Sequence, residues 1–370
     1  MVRIQKVTGR RLLREFIEYP YRKYRGHPHW VPPLRRDERQ QFNPAKNPFY
    51  EHARMELFLA SRDGRTTGRI AAIDDQLHRE THLENVAFFG FFEADDRDAA
   101  SALLERAEAT AHAAGRSILR GPFNPSLNEN AGLQIDAFDT DPWILMPCNP
   151  PEYPRYLEDA GYRKAKDLYA WLIDLQQGVS RRFQRVAERA GRQEGIVVRH
   201  ADFGSLGEEV QKIKAIYEEC WKDNWGFVAP TEHEFSHMTA KLRQIMDPEI
   251  VLFVEVDGAT AGFALSLPNF NQVLKQLNGR ILPFGIFKLL RARKRIDQGR
   301  LALLGVLPEY RWRGLYPLLI YESIQRGRQR GIVLAECSWT LEDNAEVNVG
   351  IRAAGGTHYK TYRIYEKDLA

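Results

Sequence analysis

Two separate stretches of the chain repeat one order of apolar and polar segments. In the first stretch, two apolar runs flank an Asp-Gly pair, which is typical of a tight turn between antiparallel strands. A third apolar run follows, and apolar residues then recur at helical spacing until a glycine. The elements predicted here are a strand pair with its turn, a third strand, a helix and a fourth strand: 56–60, Asp63-Gly64, 68–72, 86–92, a helix from about Asp98 to Gly115, and 117–119.

The second stretch lies in the C-terminal half and follows the same plan. Its helix carries Tyr316, Ile320 and Ile324 on one face and ends at Gly331. The other predicted elements are a strand pair with its turn, a long strand and a last strand: 250–254, Asp257-Gly258, 261–265, 301–306 and 332–336. A repeat of this length indicates the duplication of a whole domain rather than a short solenoid repeat.

The repeat also predicts how the 370 residues are divided. We expect a first domain over 1–176, a linker or connecting helix over 177–195, and a second domain over 196–370. The connecting segment is rich in arginine and glutamine and contains few strand-forming residues. An insertion over 269–298 separates the strand pair of the second copy from its long strand.

Composition narrows the class of protein. Hydrophobic residues make up 44% and charged residues 28%, which is ordinary for a globular protein and excludes a disordered chain. The net charge of +4 favours a small anionic ligand over a role in coating nucleic acid. No run of about 18 apolar residues predicts a transmembrane helix, so the expected location is cytoplasmic. Three widely spaced cysteines predict neither a disulfide framework nor a metal site.

The turn after the long strand of the second copy has the features of an anion-binding site. Strand 301–306 leads into a turn that contains Arg311 and Arg313, and Gly314 stands where the helix begins. The first amides of a helix have no partner within the helix, and the helix dipole adds partial positive charge there. A glycine lets a phosphate approach those amides, and arginines supply charge-assisted hydrogen bonds.

This passage resembles the pyrophosphate-binding motif of the GNAT superfamily of acyl-CoA-dependent N-acyltransferases. The matching positions are Val306, Pro308, Glu309, Tyr310, Arg311, Arg313 and Gly314. The resemblance implies an α/β (α+β) fold of two tandem GNAT-like domains, each with a mixed, mostly antiparallel central sheet flanked by helices. It covers the chain from about Ile196 to the C-terminus by motif, and the first half only by the order of its elements.

The resemblance further implies that the second domain binds acetyl-CoA or another acyl-CoA as cosubstrate, without a metal. The cofactor-binding residues that it implies are Gly305, Val306, Leu307, Arg311, Trp312, Arg313, Gly314, Leu315, Tyr316 and Asn344. The implied reaction is direct N-acyl transfer, with N-acetyl transfer as the first expectation. The partner is then an amine of a small molecule or a peptide, and no nucleic acid is expected.

Some positions depart from the family pattern. Tyr316 replaces the last small residue of the motif and Trp312 stands where glycine is common, so either ring can crowd the pyrophosphate or stack on the adenine. Ile351 occupies the position where many relatives carry the tyrosine that protonates the leaving thiolate. In the first copy the equivalent turn, 92–98, holds four carboxylates and no glycine, and we expect it to bind no CoA.

Direct transfer needs a base for the amine and an acid for the thiolate. Glu336, on the strand beside the proposed cofactor, is the best-placed base, with a solvated or ion-paired glutamate as the structural alternative. Because Ile351 cannot donate a proton, our candidate acid is Tyr359, just before the closing strand. Asn344, which opens the last helix, completes the candidate catalytic set.

Two aromatic residues, Trp225 and Phe227, lie in the loop between the first two helices of the second copy. In the resembling family this loop borders the acceptor pocket. Core packing is the alternative, because large aromatic side chains are usually buried.

Residues 233–237 spell H-E-x-x-H, the pattern of a zinc protease helix. A zinc site needs a third protein ligand, and none is evident. The alternative is a capping box, because Thr231 and Glu234 have the spacing that caps a helix start. We therefore predict a helix and no metal.

Two other functions fit parts of the sequence. A non-catalytic tandem module that binds CoA or another ligand fits the departures at Tyr316 and Ile351. A membrane-associated enzyme for long acyl chains fits the basic amphipathic stretch from Phe284 to Arg295, although a helix packed on the fold explains that stretch equally well. Membrane contact is therefore possible but not favoured.

Overall fold

The computed structural model describes residues 1–280 and 295–369. The strands in these ranges are β1 (Arg3–Lys6), β2 (Ala53–Arg62), β3 (Arg65–Asp75), β4 (Val86–Ala94), β5 (Ile118–Gly121), β6 (Phe123–Asn124), β7 (Asn130–Ala131), β8 (Leu133–Gln134), β9 (Arg163–Asp174), β10 (Ile196–His200), β11 (Val251–Val256), β12 (Ala259–Pro268), β13 (Gln298–Val306), β14 (Leu334–Leu341) and β15 (Thr357–Asp368). The helices are α1 (Gly9–Lys23), α2 (Arg35–Gln41), α3 (Gln76–His82), α4 (Arg97–Ala113), α5 (Tyr153–Asp159), α6 (Arg181–Gly191), α7 (Leu206–Trp221), α8 (Glu232–Leu242), α9 (Asn271–Leu274), α10 (Leu315–Gln329) and α11 (Ala345–Ala353). None of the described helices is long and apolar enough to span a membrane.

The first of two compact units comprises the described residues 1–168, 274–280 and 361–369. Its sheet has the order β1-β2-β3-β4-β5, and the end of β15 pairs with β5. The pairs are antiparallel except for β4 and β5, which are parallel. Helix α4 packs on this sheet through Leu103, Leu104 and Ala107, which are fully buried.

The second unit comprises the described residues 169–273 and 295–360. Its sheet has the order β10-β11-β12-β13-β14, and β13 and β14 are the parallel pair. Helix α10 packs on the sheet through Leu315, Leu318 and Leu319. Each unit is therefore a mixed, mostly antiparallel sheet flanked by helices, and the predicted fold class is confirmed.

Local sequence signals explain the repeated order of elements. At both predicted hairpins the two turn residues have left-handed backbones, with φ of 50° and 77° at Asp63 and Gly64, and 51° and 82° at Asp257 and Gly258. Aspartate and glycine adopt this conformation more readily than other residues, and the turn matches the twist of the strands. Both predicted hairpins are confirmed.

Two of the predicted helices start at side-chain caps. Asp96 caps α4 by accepting a hydrogen bond from the amide of Ala99 at 2.9 Å. Thr231 and Glu234 form the predicted capping box of α8, with hydrogen bonds of 3.2 and 2.9 Å. The H-E-x-x-H letters therefore lie on a helix whose start the capping box explains.

The two units begin and end at other residues than the predicted domains. The last residues of the chain, from Thr361, belong to the first unit because β15 pairs with β5 there. Part of the insertion also belongs to the first unit, since Lys275 pairs with Asp141 at 2.6 Å. The connecting segment forms α6, which lies in the second unit. The amphipathic stretch predicted from Phe284 to Arg295 lies outside the described residues, apart from Arg295.

Candidate functional site

The two parallel strands of the second unit pair over only part of their length. Residues 298–301 of β13 face 334–337 of β14, and both strands continue beyond this region. In β13 the next three residues, Ala302, Leu303 and Leu304, are only half-buried. Parallel strands are normally buried on both faces, so these residues mark a part of the sheet that the described chain leaves incompletely covered.

The turn after β13 ends in a left-handed glycine. Residues Pro308–Arg313 form a 3₁₀ turn, and Gly314 has φ of 75° at the start of α10. A glycine has no side chain to cap a helix, and within the described ranges no other side chain caps α10. The first amides of α10 therefore have no capping side chain among the described residues, which is the condition that an anion site at a helix start requires.

The three residues before Gly314 differ in their surroundings. Arg311 is exposed and donates from Nε to the carbonyl of Val306 at 3.3 Å. Trp312 is 81% exposed, and its indole N–H donates to the carbonyl of Glu309 at 2.8 Å. Arg313 is half-buried and donates to the side chain of Gln193 at 3.2 Å. Arg311 is thus the arginine of this turn with more freedom to meet a phosphate.

The strand residues before the turn are held by other elements. The amide of Leu307 donates to the carbonyl of Ala261 at 2.9 Å. The carbonyl of Val306 accepts a hydrogen bond from the thiol of Cys220 at 3.2 Å. Gly305 lies under Trp221, and a Cβ atom at this position would lie 2.8 Å from the indole ring. The glycine therefore allows α7 to pack closely on β13.

Glu336 stands at the centre of a buried polar cluster. Its side chain accepts hydrogen bonds from the hydroxyl of Ser338, at 2.5 Å, and from the hydroxyl of Tyr359. Arg300 donates to the hydroxyl of Ser338 at 2.8 Å and to its carbonyl at 2.9 Å. Glu336 is 0% exposed, whereas Tyr359 is half-buried. We call these four residues the Glu336 cluster.

Burial dominates the protonation of this carboxyl. Loss of solvent raises the pKa of Glu336 above its ordinary value. The charges of Arg300 and Lys360 and the hydrogen bonds from Ser338 and Tyr359 act in the opposite direction, because they stabilise the carboxylate. A glutamate with a raised pKa and a half-buried phenol in contact with it has the properties of a general base with a proton relay.

The structure thus brings together two predicted residues, Glu336 and Tyr359, and adds two that sequence reasoning missed. Arg300 lies opposite Glu336 in the register of β13 and β14, and Ser338 follows Glu336 by two positions on the same face of β14. The alternation of Glu336 and Ser338 was a usable signal for Ser338. The position of Arg300 opposite Glu336 could not be predicted, because it depends on the register of β13 and β14, which the sequence does not give.

Other predicted site residues have structural partners. Asn344 caps α11 by accepting from the amide of Val347 at 3.3 Å, which confirms that it opens the last helix. The ring of Tyr316 packs near Gly350 of α11, where a Cβ atom would lie 3.6 Å from it. Ile351 is buried in the core of the second unit. Leu315 is also fully buried, so its backbone is the part that can meet a ligand.

In the loop after α7, one of the two predicted aromatic residues is part of the hydrophobic core and the other is not. Phe227 is 5% exposed and packs edge-to-face on Tyr217, with ring centroids 5.2 Å apart. Trp225 is half-buried. Trp221, at the end of α7, packs on Tyr217 and Phe263 as well as over Gly305. Phe227 therefore supports this packing, and Trp225 keeps exposed surface.

The equivalent turn of the first unit is occupied by its own side chains. Asp95 accepts from the hydroxyl of Tyr19 at 2.6 Å. Asp96 caps α4 and pairs with Arg62 at 2.6 Å, and Arg62 also reaches Asp98 at 3.1 Å. The helix start that is open in the second unit is satisfied by carboxylates in the first.

The chain is similar to two bacterial proteins along nearly its whole length. A bacterial ceramide synthase from Caulobacter vibrioides is 38% identical over 365 residues, which cover 96% of this chain and 95% of that protein. The Escherichia coli protein YghO is 34% identical over 365 residues, covering 96% and 93% of the two chains. No family model matches the chain.

Among solved structures, a tandem GNAT protein from the clavulanic acid biosynthesis pathway matches with a TM-score of 0.59. The match covers 100% of this chain and 99% of that one, at 12% identity, and it shows a shared fold. The relatives and the shared fold agree with the motif around Gly314. This chain belongs to the family of the bacterial ceramide synthase and is an N-acyltransferase with the GNAT fold.

Proposed function

We propose that this enzyme transfers a fatty acyl group from acyl-CoA to the amino group of a long-chain amino alcohol. The observation that carries the proposal is the 38% identity to the Caulobacter ceramide synthase over 96% of the chain. That relative is named for its product, and a ceramide is a long-chain amino alcohol whose nitrogen carries a fatty acyl chain. We infer both substrate classes from this product. The acyl group proposed is therefore longer than the acetyl group first expected.

The half-buried segment of β13 is evidence for the proposal that the acyl group is long. Ala302, Leu303 and Leu304 present apolar surface immediately before the turn proposed to bind the pyrophosphate. Each buried methylene contributes about 0.8 kcal/mol, so a long chain gains much more from such a surface than an acetyl group. We also propose that Trp225, which is half-buried, contacts the lipid substrate.

The turn at Gly314 supports the CoA part of the donor. We propose that the first amides of α10 and the guanidinium of Arg311 bind the pyrophosphate, because those amides lack a capping side chain and Arg311 is exposed. Trp312 is then available to stack on the adenine, since its ring is exposed.

The Glu336 cluster supports the proton transfers. The amine attacks the thioester carbonyl carbon, a C–N bond forms, and the C–S bond breaks as the tetrahedral intermediate collapses. We propose that the amine proton passes to the oxygen of Tyr359 while the phenolic proton passes to Glu336, because Tyr359 is the more exposed of the two. The reverse relay delivers one proton to the leaving thiolate. The products are the amide and free CoA, and both side chains return to their starting state.

The test is a substrate panel with the full-length chain in mixed micelles. Palmitoyl-CoA and acetyl-CoA are each combined with sphinganine and with the polar amine spermidine, and free thiol and the N-acyl product are measured. We expect product from palmitoyl-CoA and sphinganine, and little from the other pairs. Glu336→Gln is the control, because it removes the base while nearly keeping the side-chain shape.

Two outcomes would contradict the proposal. Turnover confined to the polar amine would show that the acceptor is not a long-chain amino alcohol. Turnover of acetyl-CoA equal to that of palmitoyl-CoA would show that the apolar strand surface does not bind the acyl chain.

A further inference from the structure

Helix α6 of the second unit has one buried face and one strongly basic face. Phe183, Ala187 and Ala190 are buried against the core. The opposite side is exposed and consists of Arg181, Arg182, Arg185, Val186 and Arg189, which we call the arginine face.

Within the described part of the chain, the four arginines of this face have no acidic partner. No described carboxylate forms an ion pair with Arg181, Arg182, Arg185 or Arg189. Glu188, on the same helix, pairs with Arg192 instead, at 3.4 Å. Arg181, Arg185 and Arg189 follow one another at four-residue spacing, so like charges repel along one line of the helix. An external polyanion would relieve this repulsion.

An apolar side chain is exposed among the charges. Val186 lies within the arginine face and is 48% exposed. Arginines together with exposed apolar residues are typical of helices that lie in the interface between lipid headgroups and acyl chains. The turn at Gly314 contacts the end of α6, because Arg313 donates to Gln193 at 3.2 Å and a Cβ atom at Gly314 would lie 3.3 Å from Ala190.

We propose that the arginine face is a docking surface for an anionic lipid bilayer. The guanidinium groups contact the phosphodiester headgroups, and Val186 enters the outer part of the hydrocarbon. An exposed valine gains from hydrocarbon and gains nothing from a nucleic acid backbone, so the surface favours a bilayer. Docking would hold the turn at Gly314 beside the membrane. The proposal does not rest on the identity of the acyl acceptor.

The test is flotation of the full-length chain with lipid vesicles. Vesicles of phosphatidylcholine are compared with vesicles that also contain phosphatidylglycerol. We expect binding to the anionic vesicles that weakens as salt is raised, because salt screens the headgroup charge. The variant with Arg181, Arg182, Arg185 and Arg189 changed to glutamine should partition at least about 100-fold more weakly, since each basic residue near the surface contributes about fivefold.

A matched control removes the same charge from the first unit. Arg10, Arg11, Arg14 and Arg25 are also exposed, and the variant with these four changed to glutamine should keep nearly normal binding. A second variant, Val186→Asp, should weaken binding by opposing both the charge and the apolar contact. Melting temperature and activity on micelle-dispersed substrates should stay unchanged in all three variants, which separates lost docking from lost folding or lost chemistry.

Three results would overturn the proposal. Equal loss of vesicle binding in the control would mean that total charge, and not the arginine face, is responsible. Unchanged flotation of the four-arginine variant would remove α6 from any membrane contact. Stronger binding to an RNA oligomer than to anionic vesicles, lost in the same variant, would assign the face to nucleic acid.

Discussion

In the first unit β4 is buried along its whole length, whereas in the second unit the corresponding strand, β13, is half-buried in its middle. Both strands have a parallel neighbour, and both pairings end after three or four residues. In the first unit the chain turns back and covers β4 with Phe123 and Asn124. The amide of Phe91 donates to the side chain of Asn124 at 2.5 Å, and the carbonyl of Phe123 fits against Gly90 because that residue has no side chain.

The turns after the two strands differ in the same way: the turn of the first unit is filled by its own side chains, and the turn of the second unit is not, within the described residues. Asp96 fills the start of α4 with a carboxylate and holds it with Arg62, whereas Gly314 leaves the start of α10 uncapped. Two differences, one in how the strand is covered and one in the turn, therefore separate the two copies of a common fold. In our proposal, the half-buried strand segment and the uncapped helix start of the second unit receive the acyl-CoA.

The largest effect is expected for the buried glutamate of the second unit, Glu336, and none is expected for the buried glutamate of the first unit, Glu93. Glu336→Gln should lower kcat by about 10³-fold, because an amide cannot accept the proton and a positioned base contributes about 10² to 10⁴-fold. The first unit offers a matched control. Glu93 is also buried, with a pKa raised by burial, and it accepts from the hydroxyls of Tyr24 and Tyr153. Glu93→Gln should leave kcat within about twofold.

Steady-state kinetics with saturating acyl-CoA distinguish the two variants. A kcat of Glu336→Gln within tenfold of the unmodified enzyme would remove Glu336 from the proton path. A collapse of kcat in Glu93→Gln at normal melting temperature would mean that the first unit takes part in the chemistry.

The next effect concerns the turn of the second unit. Gly314→Glu should weaken CoA binding at least about 100-fold, because it places a carboxylate at the proposed phosphate site. Gly331→Glu is the matched control at the other end of α10, where the glycine also has a left-handed backbone and open space around it. Calorimetry should find one CoA site per chain in the unmodified enzyme and in the control. Two equivalent sites would falsify the distinction between the turns.

Local parts of this comparison could be predicted from the sequence. The Asp-Gly turns, the capping box at Thr231, the cap at Asn344 and the glycine before α10 each depend on a few neighbouring residues. The acidic turn of the first copy was also evident, since charge needs no tertiary context.

Contacts between distant segments could not be predicted. The covering of β4 by Phe123 and Asn124 depends on how the chain turns after β5. The grouping of Arg300 with Glu336 depends on strand register, and Tyr359 reaches Glu336 through the placement of the last strand. The C-terminal part of the same strand pairs with β5 of the first unit, which is why the unit boundaries differ from those expected.

A smaller effect tests the proposed relay. Tyr359→Phe should lower kcat by about 10²-fold, because the ring remains and only the hydroxyl that contacts Glu336 is lost. CoA binding by calorimetry should stay near its original value. An unchanged kcat would leave water as the proton carrier and exclude Tyr359 from the relay.

The pH profile tests how the cluster controls Glu336. Burial raises the pKa of Glu336, and the hydrogen bond from Ser338 lowers it, so Ser338→Ala should raise that pKa further. A general base works when ionised, so the acidic limb of kcat/KM should move to higher pH. Activity on this limb should fall about fivefold, the equivalent of one hydrogen bond of about 1 kcal/mol, and should recover on the alkaline plateau. A uniform loss at every pH would indicate a structural effect instead.

The smallest expected effect tests what keeps CoA out of the first unit: the carboxylates of the turn, or the segment that covers β4. Asp95→Ala combined with Asp96→Ala removes two charges and the cap of α4, and should lower the free energy of unfolding by about 1–2 kcal/mol. The matched control is Thr231→Ala, which removes the cap of α8 in the second unit. We expect the double variant still to bind one CoA per chain, because Phe123 and Asn124 continue to cover β4. Urea unfolding measures the first quantity and calorimetry the second. A second CoA site in the double variant would mean that the carboxylates alone exclude the cofactor, and that the covered strand is a consequence of packing without a part in ligand exclusion.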